Sequence, residues 1–239
     1  MLLFCVRSLL RVFRKNPLEI YVMDDDKNPM DDGFVQDMLA LSPAVHYEQT
    51  SFERNKNLNG KACIEGMVEK FIEHAAGREA LNFKIDPDTI VCHRTVFDAF
   101  YANREAAQAA TTRPGCHFSG VLYMFRTEPL QRALELVRAF PVPVERGPED
   151  YIIGLAICSA ALPKKALMVS VWNDTTKVGV ACAWNYAIPK ERYDALIPYY
   201  YKRFQFITMG NWFLHEGLTL DDRLLPARML LDEIEKGEE

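Results

Sequence analysis

Two aspartates, Asp86 and Asp88, flank a proline in the stretch at residues 83–91 and are the strongest candidates for chemistry in the chain. The apolar residues at 81–85 predict a buried strand that ends just before them. Pro87 fixes its own φ and favours an extended conformation at Asp86. Carboxylates just past the carboxyl end of a strand lie where open α/β sheets bind ligands. Such a pair can hold a hard divalent cation, Mg²⁺ or Mn²⁺, against a diphosphate. The alternative is a turn, in which Asp and Pro are common.

A second acidic group, formed by Asp24, Asp25 and Asp26, ends the apolar run at 18–23. Its placement matches that of Asp86, because each follows a predicted strand. An acidic side chain at such a position can accept hydrogen bonds from a ribose or from a base N–H. A solvated loop or a helix cap is the alternative interpretation of the run.

The composition is that of a soluble globular protein with room for one large domain and a full core. The chain has 239 residues, of which 49% are hydrophobic and 26% charged, and its formal net charge is -5. That balance disfavours bulk electrostatic attraction to nucleic acid or to an anionic membrane. No apolar run approaches the length of a membrane span, and no small-residue cleavage site follows the N-terminal leucines. We therefore predict no transmembrane segment and a cytoplasmic location.

The six cysteines are widely spaced and include two Cys-His dipeptides, at 92–93 and 116–117. Without a secretion signal, they are predicted to be reduced core residues rather than a disulfide framework. Adjacent residues on a strand point to opposite faces, so neither dipeptide is a natural chelate. Structural zinc sites show tighter ligand spacing, and zinc is therefore the less favoured alternative.

Strands and helices are predicted to alternate through residues 1–92, as a parallel α/β sheet requires. The strands are predicted at 1–6, 18–23, 44–47 and 81–85, and the helices at 9–14, 33–41 and 61–76. The second half is less regular. Its helices are predicted at 95–110, 128–140, 151–160 and 223–236, and its strands at 118–125, 167–171 and 178–182. The chain shows no internal repeat.

The order of these features resembles a nucleotide-sugar-dependent glycosyltransferase of the A-type fold, over most of the chain. Residues 18–26 resemble the strand whose terminal aspartates contact the base, and 54–60 resemble the Asn/Gly segment beside the nucleoside. Residues 83–88 resemble the strand that ends in the metal-binding Asp-x-Asp motif. Residues 117–125 resemble the glycine-containing strand on the acceptor side. Residues 148–154 resemble the helix start that carries the catalytic base in inverting members.

The resemblance implies a single Rossmann-like α/β domain over residues 1–239, with a central mixed, mostly parallel sheet flanked by helices. Its nucleotide-binding half would be 1–92 and its acceptor-binding half 93–217, followed by a C-terminal helix at 218–239. One departure from the family is the connection between the first two strands. The family has a longer helix there, and this chain offers only residues 8–15.

The resemblance also implies roles for individual residues. Mn²⁺ or Mg²⁺ would be held by Asp86, Asp88 and a C-terminal histidine, for which His215 is the candidate. His215 departs from the common pattern, because residues 208–211 lie where the histidine is expected. Asp150 would be the catalytic base, with Glu149 as its rival. The alternative for both is structural, since the macrodipole favours acidic residues in a helix's first turn. Nucleotide-sugar contacts would come from Arg7, Asp24, Asp25, Asp26, Arg54, Asn57, Gly60, Lys61 and Asp86.

The implied activity is that of a metal-dependent, hexosyltransferase-like glycosyltransferase. It would move a sugar from a UDP- or GDP-linked donor to an acceptor hydroxyl with inversion. The acceptor would be a glycan, a lipid-linked sugar, a small molecule or, disfavoured by the acidic net charge, a modified DNA base. Two alternatives stay open. A nucleotidyltransferase also uses carboxylate-held Mg²⁺, but residues 5–8 do not form its Gly-rich basic loop. The other is a non-catalytic binding module on the same fold.

Overall fold

The structure is a computed structural model. It describes residues 1–52, 61–76, 81–104, 106–113, 117–139, 149–160, 165–170, 181–210 and 217–237. Its helices are α1 Leu2–Val12, α2 Asp32–Leu39, α3 Lys61–Ala75, α4 Thr95–Ala102, α5 Leu130–Ala139, α6 Glu149–Ala160, α7 Tyr193–Arg203 and α8 Leu220–Lys236. Its strands are β1 Ile20–Asp25, β2 Val45–Thr50, β3 Leu81–Ile85, β4 Thr89–Val91, β5 Ala106–Arg113, β6 His117–Arg126, β7 Lys165–Ser170, β8 Ala181–Ala183 and β9 Phe206–Thr208.

The chain divides into two compact units. The first unit comprises Met1–Ser51, Pro87–Thr95 and Asp174–Glu239, and the second comprises Phe52–Asp86 and Val96–Asn173. The chain therefore leaves the second unit between Asp86 and Pro87. The single domain implied by the resemblance stays a prediction.

The first unit contains a parallel pair of strands and a three-stranded sheet. Strands β1 and β2 are parallel, with Ile20 opposite Val45, and α2 connects them. Asp31 caps α2 by accepting a hydrogen bond from the backbone N–H of Phe34. This strand-helix-strand unit agrees with the elements predicted at 18–23, 33–41 and 44–47. In the other sheet, β9 lies between β4, which is antiparallel to it, and β8, which is parallel.

Helix α1 corrects the strand predicted at residues 1–6. One helix covers Leu2–Val12, because the buried residues recur at helical rather than alternating spacing. Cys5 and Leu9 are each 2% exposed and lie one turn apart. The unbroken apolar run at the start of the chain had suggested a strand, and run length alone does not separate a strand from a helix.

Ser8 joins α1 to β4 in the core of the first unit. Its side chain is fully buried, donates to the Cys5 carbonyl at 2.7 Å and accepts from the Val91 N–H at 3.1 Å. The other edge of β4 pairs with β9. The hydroxyl therefore gives an N–H of β4 a partner that the sheet does not supply.

We expect Ser8→Ala to lower the free energy of unfolding by about 1–3 kcal/mol, because the buried Val91 N–H loses its acceptor. Urea denaturation measures this change. Ser51→Ala removes an exposed hydroxyl from the same unit and is the matched control. It should stay within about 0.5 kcal/mol of wild type. Equal midpoints for the two variants would contradict the role assigned to Ser8.

The second unit is built on the sheet β3-β6-β5-β7. Strand β6 is antiparallel to β3 and to β5, and β7 is parallel to β5. Helices α3, α5 and α6 pack together, and α6 also packs on the sheet. Among the described strands, parallel and antiparallel pairings are equally numerous and fall in three sheets. The described chain is therefore mixed α/β. The central, mostly parallel sheet that the resemblance implies is not shown.

The alanine-rich tract at 95–110 corrects a second prediction. Helix α4 ends at Ala102, and residues 106–113 form β5 instead of continuing it. Strand β5 has a hydrogen-bonded neighbour on each side, β6 and β7. Alanine's helix preference is worth less than about 1 kcal/mol per residue, and tertiary context overrides it here.

No helix in the described part of the chain combines the length and the apolar character that crossing a membrane would need.

Candidate functional site

Asp86 directly follows β3, as predicted from the sequence. Strand β3 occupies Leu81–Ile85 and pairs with β6 so that Lys84 lies opposite Tyr123. The ammonium of Lys84 forms an ion pair with Oδ1 of Asp86. The side chain of Asp86 is 36% exposed, whereas that of Lys84 is 13% exposed. The carboxylate can therefore be reached from solvent, and a largely buried cation touches it.

Asp88 directly precedes β4 and is joined to the end of β9, all within the first unit. Its carbonyl oxygen accepts a hydrogen bond from the Met209 N–H at 2.9 Å. Its Oδ1 lies 3.4 Å from the Thr208 hydroxyl, which is a long hydrogen bond. The antiparallel pairing of Thr89 with Thr208 brings these groups together. The position of the carboxylate thus depends on a strand that is distant in the sequence.

Gly210 provides room for the Asp88 carboxylate. A Cβ built on Gly210 would lie 2.8 Å from Oδ2 of Asp88, closer than real Cβ contacts come. The Gly210 N–H donates to the Thr208 hydroxyl oxygen at 3.3 Å. Thr208 at the end of β9 and Gly210 just after it therefore lie beside the Asp88 carboxylate.

We expect Gly210→Ala to weaken Mn²⁺-dependent binding of UDP or GDP by about tenfold, because the new methyl group displaces the Asp88 carboxylate and supporting contacts are worth about that much. Isothermal titration calorimetry measures the affinity. Gly33→Ala is the matched control, since its Cβ would also approach a carboxylate, that of Asp31, at 3.0 Å. Equal affinities of the two variants for UDP or GDP in the presence of Mn²⁺ would show that Gly210 does not contribute to the site.

Asp86 and Asp88 supply the oxygen donors that Mg²⁺ and Mn²⁺ prefer. Mg²⁺ is commonly held by one or two carboxylates, with waters and substrate phosphates completing its coordination. Asp86 and Asp88 each carry one such carboxylate, and their joint role as metal ligands stays a prediction. In the part of the chain that the structure describes, no three His, Cys, Asp or Glu side chains form a metal-binding group. The predicted third ligand, His215, lies outside the described residues.

The Cys92-His93 dipeptide has other contacts. Cys92 is 2% exposed, and burial raises the pKa of its thiol far above its ordinary value. The Nε2 atom of His93 lies 2.6 Å from the Tyr201 carbonyl oxygen, and the centres of the two rings are 4.6 Å apart with the planes tilted by 38°. Cys92 is thus a buried core residue, as predicted, whereas His93 is half-buried and bonded to the backbone. The side chains of the 116–117 dipeptide lie outside the described set.

Asp24 connects the predicted nucleotide-binding strand to its surroundings. Its Oδ2 accepts the Tyr47 hydroxyl and the Met30 N–H, each at 2.7 Å, and its Oδ1 accepts the Asp25 N–H at 2.9 Å. The Tyr47 bond raises the pKa of that tyrosine, because the carboxylate holds the phenol proton. The Thr50 hydroxyl donates to the Asp24 carbonyl at 2.8 Å. These contacts give Asp24 a role in joining β1, β2 and the turn before α2.

The neighbouring aspartates are more open. Asp26 is exposed, and Asp25 is partly buried, with one carboxylate oxygen accepting the Lys27 N–H at 3.2 Å. Both lie at the carboxyl end of β1, the position from which contacts to a base or ribose were predicted. Their nucleotide contacts stay a prediction.

Lys61 is held between helices of the second unit. Its ammonium donates to the Arg138 carbonyl oxygen near the end of α5 and lies 3.9 Å from Glu65. The Arg138 side chain in turn binds Glu69 at 2.5 Å. These contacts join α3 to α5, and nucleotide binding by Lys61 stays a prediction. Arg7, the other predicted cation within the described residues, is exposed on α1.

The remaining predicted residues are described in part or not at all. Glu149 and Asp150 are the first two residues of α6, as predicted, and only their backbone is described. Arg54, Asn57 and Gly60 lie outside the described residues.

Three residues near the aspartates were not predicted as site residues: Lys84, Thr208 and Gly210. For Lys84 a signal was available, because strand alternation places residues 84 and 86 on the same face. For Gly210 the signal was weaker, a glycine that follows the largely apolar residues 206–209. Thr208 carries no such signal, since only the pairing of β4 with β9 brings it to Asp88.

Comparison with known proteins finds a likeness among solved structures. No protein-family model and no curated protein matches the sequence. Among solved structures, the chain is similar to a glycosyltransferase involved in the glycosylation of the major capsid of PBCV-1. The alignment covers 90% of this chain and 98% of the other, with a TM-score of 0.44 and 10% sequence identity. Likeness at this level does not establish a shared fold or activity.

Proposed function

We propose that the protein is a metal-dependent glycosyltransferase that uses a UDP- or GDP-linked sugar. The observation that favours this proposal most strongly is the position of the Asp88 carboxylate, which lies beside Thr208 and Gly210. Asp88 follows closely in the sequence on β3, which ends at Ile85. The resemblance of residues 83–88 to an Asp-x-Asp strand gives that supported carboxylate a function.

The proposed reaction breaks the bond between the anomeric carbon and the diphosphate oxygen and forms a bond from the acceptor oxygen to that carbon. Asp88, with Asp86 directly or through water, would hold Mn²⁺ or Mg²⁺. When bound, the cation supplies positive charge that stabilises the departing diphosphate. Asp150 would accept the proton of the acceptor hydroxyl, with Glu149 as the rival base. Asp25 and Asp26 would accept hydrogen bonds from the nucleoside, and the contacts of Asp24 would hold their turn in place.

The nucleotidyltransferase alternative is not favoured by the described structure. That class typically places a Gly-rich phosphate loop after its first strand. Here residues 5–8 lie inside helix α1, and the first strand, β1, ends in aspartates. The acceptor of the proposed reaction stays open among a glycan, a lipid-linked sugar, a small molecule and a modified DNA base.

A thermal-shift titration with UDP- and GDP-sugars, with and without Mn²⁺, tests the proposal. A ligand at a hundred times its Kd stabilises the native state by about 2.7 kcal/mol, which is about 5–10 °C for a chain of this size. We expect such a shift with one nucleotide class only when Mn²⁺ is present. No shift with any nucleotide would overturn the proposal. A shift without release of UDP or GDP on prolonged incubation with candidate acceptors would favour a binding module.

A further inference from the structure

Lys84 is largely buried within the second unit, although it is charged. Strand alternation places it on the same face of β3 as Asp86, and Tyr123 faces it from β6. The Lys84 ammonium lies 5.7 Å from the centre of the Tyr123 ring, and Tyr123 is 4% exposed. Phe71 of α3 packs edge-on against the same ring at 6.4 Å. The lysine thus reaches Asp86 from a side of the sheet that is covered by aromatic residues.

The stability of the fold does not require this arrangement. Lysine is rarely buried unless it is paired, and withdrawing its charge from water offsets most of what a buried ion pair gains. Replacement of such a pair by apolar groups is often neutral or stabilising. The partner, Asp86, is 36% exposed and can be solvated without the lysine. An explanation through the chemistry of Asp86 is therefore better supported.

We propose that Lys84 makes binding of the divalent cation at Asp86 dependent on the diphosphate. This inference rests on the proposed function. Without nucleotide, the Lys84 ammonium occupies Asp86 and repels a second cation that approaches the same carboxylate. When a metal–diphosphate binds, the ammonium turns to the phosphate oxygens, which its flexible four-carbon stem and rotatable N–H donors allow. Lys84 is then a positioning residue for Asp86 and a binding residue for the diphosphate.

The coupling is reciprocal: if the diphosphate strengthens metal binding, the metal strengthens diphosphate binding by the same factor. Loss of the Lys84 charge should therefore have opposite effects on two ligands. The cation alone loses a competitor and gains affinity, while the diphosphate loses a positive partner. A residue that only supported the local structure would weaken both ligands when it is replaced.

The test is isothermal titration of the full chain with MnCl₂ alone and with inorganic diphosphate at saturating Mn²⁺. We expect Lys84→Met to bind Mn²⁺ alone about 3- to 10-fold more tightly and diphosphate about 10-fold more weakly. Lys84→Arg keeps the charge and should restore most of the diphosphate affinity. Lys70→Met is the matched control, because Lys70 also forms an ion pair, with Glu73 at 2.8 Å, in the same unit. It should leave both affinities unchanged.

Affinities that fall together, or that both stay at the wild-type value in Lys84→Met, would overturn the inference. The urea midpoint of Lys84→Met, which we expect to match that of wild type, shows whether this variant folds. The proposed function can fail on its own. If the two affinities change in opposite directions but no UDP- or GDP-sugar supports sugar transfer, the role of Lys84 stands and the glycosyltransferase activity is rejected. A wild-type chain that binds neither Mn²⁺ nor diphosphate would overturn both.

Discussion

Asp88→Ala is expected to abolish Mn²⁺-dependent stabilisation by UDP or GDP and to lower kcat/KM for sugar transfer by about 10³-fold or more. A Lewis-acid cation supplies several kcal/mol of charge stabilisation, and each 1.36 kcal/mol is a factor of ten in rate. Asp88→Asn should behave similarly, because it keeps the shape of the side chain and an oxygen for the Thr208 hydroxyl but removes the charge. Thermal shift and release of UDP or GDP measure the two effects.

The fold should survive both substitutions. The hydrogen bond from the Met209 N–H goes to the main-chain carbonyl of residue 88, which neither variant changes. Asp194→Asn, at an exposed position in the first turn of α7, removes a carboxylate from the same unit and is the control. Metal-dependent nucleotide binding at the wild-type level in Asp88→Asn would show that Asp88 is not a ligand.

The elements whose apolar pattern is strong were predictable from the sequence. Strand β3 was predicted at 81–85 and occupies Leu81–Ile85, and α3 was predicted at 61–76 and occupies Lys61–Ala75. In α3, the buried Ile64, Val68 and Phe71 follow one another at helical spacing. Where periodicity and length agree, local pattern is enough to fix the element and nearly enough to fix its ends.

Tertiary context decided the elements that were missed. Residues 106–113 form a strand because β6 and β7 pair with it on both sides, which the alanine-rich sequence does not indicate. Helix α7 was not predicted, because Pro198 and three consecutive tyrosines obscure its pattern. Within it, Ile197 and Tyr193 are buried one turn apart in the core of the first unit.

The position of Asp86 at the end of a strand was predictable, but the contacts of the Asp88 carboxylate were not. The position of Asp86 after β3 follows from the local sequence alone. The support of Asp88 by Thr208 and Gly210 depends on the pairing of β4 with β9, residues that are distant in the chain. Such long-range pairing leaves no local pattern, so only the structure identifies these residues.

Asp150→Asn should lower kcat by about 10²- to 10⁴-fold, the usual contribution of a general base, while the affinity for the UDP- or GDP-sugar stays unchanged. The reason is that the base acts on the acceptor proton and does not contact the diphosphate. Release of UDP or GDP at saturating donor measures kcat, and calorimetry measures the affinity for the donor.

Glu149→Gln is the matched control, because Glu149 and Asp150 are the first two residues of the same helix, α6. Each substitution removes one negative charge from the first turn, so the loss of macrodipole stabilisation, about 0.3–1 kcal/mol, should be alike. A difference in kcat between the two variants then reports proton transfer rather than helix stability. A large loss in Glu149→Gln alone would move the base to Glu149. Wild-type rates in both variants would place the base elsewhere and leave the metal-binding role of Asp88 unaffected, because that role is measured without the acceptor.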